Sequence, residues 1–169
     1  MGLLGSFLNK FKKKSMQEEI LEAAEWVKNN LNQTGYRVDY DVESMKEIDR
    51  FFDDEKEGVL ATEGQMGNVL FGLSSFIGQT LIKLAGGGEW GIVDDHIPDN
   101  PIPDPNSPIN YAVILADGSV VYPGRRVMKR LMNGEEDSIY FYVYYIIHKN
   151  DQDKWKEIDL KSNIDNLDN

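Results

Sequence analysis

The sequence predicts an α+β fold, with a small antiparallel sheet of about three strands packed against several helices. Three observations carry this expectation. The stretch 64–85 is long and apolar, with Met66, Val69, Leu70, Leu73, Phe76, Ile77, Leu81 and Leu84 at helical spacing. It stops at the turn Ala85-Gly86-Gly87-Gly88-Glu89-Trp90, after which the pattern changes to strand. Further on, Ile109–Leu115 and Ser119–Tyr122 are rich in valine, isoleucine and tyrosine. Ala116-Asp117-Gly118 joins them, a hairpin signal.

The elements follow in order. Ser15 with Glu18 three residues on forms a capping box for a helix from Met16. Its apolar stripe is Ile20, Leu21, Ala24, Val27 and Leu31 with the stem of Lys28, and it closes at Asn32–Gly35. Tyr36–Tyr40 is an extended link. Asp41 or Ser44 then starts a second helix through Met45, Ile48, Phe51 and Phe52, ending near Gly58. In the central helix Gly67, Ser74, Ser75 and Gly78 form a bare side that admits a close neighbour. Each helical glycine costs about 1 kcal/mol relative to alanine, so packing must recover it. Trp90 anchors the first strand, Trp90–Val93, beneath that helix, and Gly87 and Gly88 make the turn that delivers it.

Five of the six prolines fall in Asp94–Pro108, which excludes a regular helix or a paired central strand there. Helical spacing returns over Gly124–Asn133, with Val127, Met128 and Leu131 inward and Arg125, Arg126, Lys129 and Arg130 outward. The run Ile139–Ile147 fits a strand by alternation and a helix by its cap at Asp137 or Ser138, and the helix is preferred. The organisation is thus a basic amphipathic or flexible tail (1–14), one α+β domain (15–150) and an acidic polar tail (151–169).

Composition narrows the function. The 169 residues suit one domain. The absence of cysteine excludes disulfides and thiolate chemistry and suits a reducing cytoplasm. The formal net charge is -11. Four of the 18 basic residues, Lys10, Lys12, Lys13 and Lys14, lie in the tail, leaving 14 against 29 acidic residues. Such a body repels nucleic acid and is compatible with a basic protein partner. The tail places Leu4, Phe7, Leu8 and Phe11 on one helical face. It is expected either to lie against the body or to make weak contact with a membrane or partner groove.

The segments Phe76-Ile77-Gly78-Gln79-Thr80, Gly87-Gly88-Glu89-Trp90, Asp117–Pro123, Arg126-Val127 and Asn133–Ser138 together resemble a family of small uncharacterised bacterial α+β domains. In that family a helix ending in leucine-glycine-glutamate leads to a glycine-glycine-x-tryptophan turn. The resemblance spans about 63–147. It implies an α+β fold and no catalytic residues, and some related small acidic proteins look like immunity or partner-binding modules. The family's glutamate falls on Gln79 here, which removes a general base from that position.

Few residues suggest chemistry. Asp94, Asp95, His96, Asp99 and Asp104 bring carboxylates and an imidazole together in one loop, the donor types of a divalent-cation site. Their spacing is neither that of a calcium hand nor of a zinc hydrolase. His148 follows an apolar run at a helix end, where the dipole favours a cation. The triple glycine lacks the lysine and hydroxyl of a phosphate loop and ends a helix instead of starting one. Asp49, Asp53, Asp54 and Glu57 form an acidic helix face, and Arg125, Arg126, Lys129 and Arg130 a basic island. Both are candidates for partner binding, or for pairing with each other. The expectation is a non-enzymatic cytoplasmic domain, immunity-like, that binds another protein and needs no cofactor. The alternatives are a metal-dependent enzyme using the Asp94–Asp104 loop and a peripheral membrane protein attached through residues 1–14.

Overall fold

The computed structural model describes residues 14–93, 104 and 106–154. In chain order it runs α1 (Met16–Gln33), α2 (Ser44–Asp54), α3 (Met66–Leu84), β1 (Gly88–Ile92), β2 (Tyr111–Leu115), β3 (Val120–Val121), α4 (Pro123–Asn133) and α5 (Ile139–His148). Short 3-10 turns lie at Val59–Ala61, Pro108–Asn110 and Gly134–Asp137.

The local signals explain the helix ends. Ser15 Oγ accepts the Glu18 N–H at 3.2 Å while the Glu18 carboxylate accepts the Ser15 N–H at 2.8 Å, the capping box the sequence predicts. Asp41 starts α2, its Oδ1 accepting both the backbone N–H (2.8 Å) and the hydroxyl (2.7 Å) of Ser44. The stripe of α1 is buried at Ile20, Ala24, Val27 and Leu31. Leu21, assigned to that stripe, is exposed instead, because one residue past Ile20 is a rotation of about 100° round the helix.

Helix α3 is the centre of the core and packs chiefly on α1. Two of its glycines make close approaches on different sides. A Cβ at Gly72 would lie 2.9 Å from Val27 Cβ of α1, and one at Gly78 would lie 2.1 Å from Cζ2 of Trp90. Trp90 is 8% exposed, with its ring seated on Gly78, so the indole anchors β1 under α3 as expected. Gly67 departs from the expectation. It is exposed and nothing lies within 4 Å of a Cβ there, because the first turn of α3 protrudes beyond its neighbours. In the turn, Gly87 sits at φ +140° and Gly88 at +158°, and a Cβ at Gly88 would meet the Ile114 carbonyl oxygen at 2.8 Å.

The sheet has the order β1-β2-β3 and is antiparallel throughout, with Trp90 opposite Val113 and Val113 opposite Val121. Strand β1 starts two residues before the expected Trp90, at Gly88, whereas β2 and β3 are shorter than the pattern suggested. Ile109 and Asn110 form a 3-10 turn behind Pro108, whose ring fixes φ and removes a donor, so β2 starts at Tyr111. At the other end Pro123 opens α4, which stops β3 at Val121. The hairpin turn is held by Asp117. Its carboxylate is pulled down to about 2 by hydrogen bonds from the Ser119 hydroxyl and N–H, and then by Lys149.

The segment Ile139–His148 is helical. Ser138 Oγ accepts the Phe141 N–H at 3.3 Å, and Asp49 of α2 accepts the N–H groups of Ile139 (2.9 Å) and Tyr140 (3.0 Å). A cap supplied by another helix decides between the two conformations the alternating pattern allows. One continuous core joins α1, α2, α3, the sheet, α4 and α5.

Burial raises the pKa of two tyrosines, Tyr36 in the core and Tyr142 packed against it. Tyr36 is pushed up to about 12 by burial and by the hydrogen bond its hydroxyl donates to Asp54 (2.9 Å), and Tyr142 to about 12 by burial. A raised phenol pKa contributes stability that is complete below the ordinary value, about 10, and lost as pH rises toward the folded value. The urea midpoint is therefore expected to hold from pH 7 to about 9.5 and to fall between about pH 10 and 12, less steeply in Tyr36→Phe. A midpoint flat to pH 11.5 would contradict this account of the two rings.

Candidate functional site

The predicted acidic and basic faces meet inside the molecule. Arg130 of α4 is 3% exposed, not outward as the helical pattern suggested. Its Nε donates to Asp49 Oδ1 at 2.9 Å, and its Nη2 donates to Asp53 Oδ1 at 2.7 Å and to the Asp49 carbonyl at 3.1 Å. Burial opposes the Arg130 charge, but the hydrogen bonds to Asp53 and Asp49 outweigh it, so the net direction of its pKa is upward. The physical reason for the inward arginine is this pair of carboxylates waiting on α2, which offsets its desolvation.

Arg126 and Arg125 of the basic island are also engaged. Arg126 pairs with Asp137 at 2.5 Å and lies 4.3 Å over the Tyr142 ring. Arg125 donates to Asn110 Oδ1 at 3.0 Å and stacks 3.7 Å over Tyr122. Lys129 is exposed. On the acidic side Asp54 accepts the Tyr36 hydroxyl and Glu57 is exposed.

Asp94, Asp95, His96 and Asp99 lie outside the described residues. Asp104 is described and exposed, and its carboxylate accepts the Asn106 N–H at 2.9 Å in a turn. Among the described residues no group of three or more histidine, cysteine, aspartate or glutamate side chains is placed to hold a metal ion. His148 ends α5 with its ring 4.4 Å from that of Tyr144.

A groove that the sequence did not suggest lies between α1, α2 and the first turn of α3, with a volume of about 380 Å³. Val27 and Leu31 of α1, Phe51 of α2 and Val69 of α3 supply its apolar lining. Asn30, Thr34, Gln65 and Asn68 supply polar groups, and Glu55, which accepts the Val59 N–H at 3.0 Å, is the one charged lining residue among the described residues. Trp26 also lines it. One edge of that indole rests near α3, where a Cβ at Gly72 would lie 3.4 Å from Cε3, yet the residue remains 47% exposed. The signal was present in the sequence. Trp26 falls off the apolar stripe of α1, so an indole had to stand at the helix margin.

Three polar atoms are buried without a partner among the described residues: Ser75 Oγ, Gln79 Nε2 and the Trp90 indole nitrogen. Among the described residues no helix is long and apolar enough to cross a membrane. In comparison with known proteins, the chain matches no family model, no curated protein and no solved structure.

Proposed function

We propose that the chain is a non-enzymatic protein-binding module whose groove receives an apolar anchor carried on a basic, helical segment of its partner. The observation that carries this reading is Trp26, half-exposed at an apolar groove of about 380 Å³ on a strongly acidic body. That volume lies at the lower end of the range of pockets that enclose small ligands. Tryptophan is, with tyrosine and arginine, among the residue types that most often dominate binding energy once a partner desolvates them. The surrounding charge supports a basic partner. Asp54, Glu57 and Glu63 are exposed on α2 and on the segment leading to α3. Such charge accelerates encounter and rejects acidic competitors. The resemblance expected over 63–147 is compatible with the same class, since some small acidic proteins of that kind look like immunity or partner-binding modules. A cytoplasmic setting agrees with the cysteine-free composition.

The test is calorimetric titration with two synthetic amphipathic helices of identical apolar face, one carrying lysines and the other glutamates. The lysine peptide is expected to bind saturably, to weaken at least tenfold in Trp26→Ala, and to weaken as salt rises. The glutamate peptide is expected not to bind. Absence of binding by either peptide, or binding indifferent to Trp26→Ala, would overturn the reading.

A further inference from the structure

From the fixed pose of one carboxylate in the groove, we infer that Glu55 is its specificity-determining residue and selects an arginine side chain that the partner carries beside its apolar anchor. This deepens the protein-binding reading and rests on it.

Glu55 is built into the groove. It closes α2, its backbone N–H donating to the Phe51 carbonyl at 2.9 Å and its own carbonyl accepting the N–H groups of Gly58 (2.9 Å) and Leu60 (3.2 Å). The half-buried side chain folds over the turn that follows, and Oε2 accepts the Val59 N–H at 3.0 Å. Gly58 leaves the space for this pose, since a Cβ there would lie 2.2 Å from the same oxygen. The other carboxylate oxygen, Oε1, has no hydrogen-bond or ion-pair partner among the described residues.

Any partner that covers the groove takes this carboxylate out of water. An apolar side chain laid over it strands a charge, and an acidic one adds repulsion. A cation with donors of its own restores what hydration supplied. The surroundings favour guanidinium over ammonium. Asn30, Gln65 and Asn68 bring side-chain amide oxygens to the same lining. A guanidinium carries more donors, held in one plane, than a compact and strongly hydrated ammonium. Trp26 adds a ring face. Arginines of this chain stack on Tyr36, Tyr122 and Tyr142, whereas Trp26 carries no cation among the described residues, although indole is the strongest aromatic acceptor of such contacts. The groove thus offers a guanidinium an indole on α1 and a carboxylate at the end of α2.

The experiment is a double-mutant cycle on the full chain, read by calorimetry. The probe is the lysine-bearing amphipathic helix with its lysines exchanged for arginines, together with a set in which each arginine in turn becomes citrulline, which keeps the shape and loses the charge. On the wild type, citrulline at one position is expected to weaken binding at least tenfold, and lysine at that position to bind more weakly than arginine. Glu55→Gln keeps an oxygen for the Val59 N–H and removes the charge. It is expected to bind the arginine helix at least tenfold less tightly than the wild type and to respond to citrulline at that position by no more than about twofold. Gly58→Ala, whose added carbon displaces the carboxylate from its pose, is expected to show the same loss with an unchanged circular-dichroism spectrum. Equal citrulline losses in the wild type and Glu55→Gln at every position would overturn the inference. So would full arginine affinity in Gly58→Ala, or lysine binding as tightly as arginine at the sensitive position. Failure here is separable from failure of the broader reading. If the arginine helix binds through Trp26 without coupling to Glu55, only the arginine assignment falls. If it binds neither chain, or binds alike to the wild type and Trp26→Ala, the groove reading falls with it.

Discussion

Replacing Asp49 with alanine is expected to lower the unfolding free energy by about 3–5 kcal/mol. Its two carboxylate oxygens accept four hydrogen bonds, from Arg130 Nε (2.9 Å), Ile139 N (2.9 Å), Ser138 Oγ (2.7 Å) and Tyr140 N (3.0 Å). The carboxylate therefore joins three helices, lying on α2, pairing a buried arginine of α4 and capping α5. Alanine leaves a guanidinium in the core without its main partner and uncovers N–H groups of the first turn of α5. Asp53 provides the control. It meets the same arginine at 2.7 Å, but its side chain is 48% exposed, so Asp53→Ala is expected to cost no more than about 1 kcal/mol. Combining Asp49→Leu with Arg130→Met removes both charges together and is expected to be less damaging than Asp49→Ala alone. Urea midpoints at constant slope measure all of these. Equal shifts for Asp49→Ala and Asp53→Ala would refute the clasp.

Trp90→Ala is expected to cost about 3–5 kcal/mol, because the indole fills the space between α3 and the sheet that Gly78 leaves open. Trp90→Phe should be much milder. The smaller ring loses some contact, but it also removes an indole N–H that is buried without a partner among the described residues. Gly78→Val should be severely destabilising on its own, since its first added carbon falls 2.1 Å from the ring. Joined with Trp90→Ala, the valine enters the vacated space, and the double variant should be more stable than the sum of the single losses implies. Additive losses, or a Trp90→Ala midpoint at the wild-type value, would disprove the packing.

Much of the fold was legible because its signals are local. The capping box at Ser15 and Glu18, the periodicity of α3 and the glycine turn before Trp90 each involve residues within a few positions of one another. Proline marked where β2 and β3 would be cut short, although the strand-like composition of Ile109 concealed it. The outward assignment of Arg130 failed for a different reason. Its partners lie 77 and 81 residues earlier in the chain, and only their approach makes burial of the charge tolerable. Gly67 and Leu21 were misjudged because the pattern specifies a helix face without specifying how far the neighbouring elements extend over it.

By itself the sequence determined which segments are helix and which are strand, which faces are apolar, and that the body is acidic, because capping, periodicity and net charge are properties of neighbours or of the sum. The tertiary structure alone decided which charges are withdrawn from solvent and where an apolar surface stays open. Desolvation depends on what a distant segment brings to the same point. The Asp49–Arg130 clasp and the groove beside Trp26 both arise there, where elements far apart in the chain come into contact.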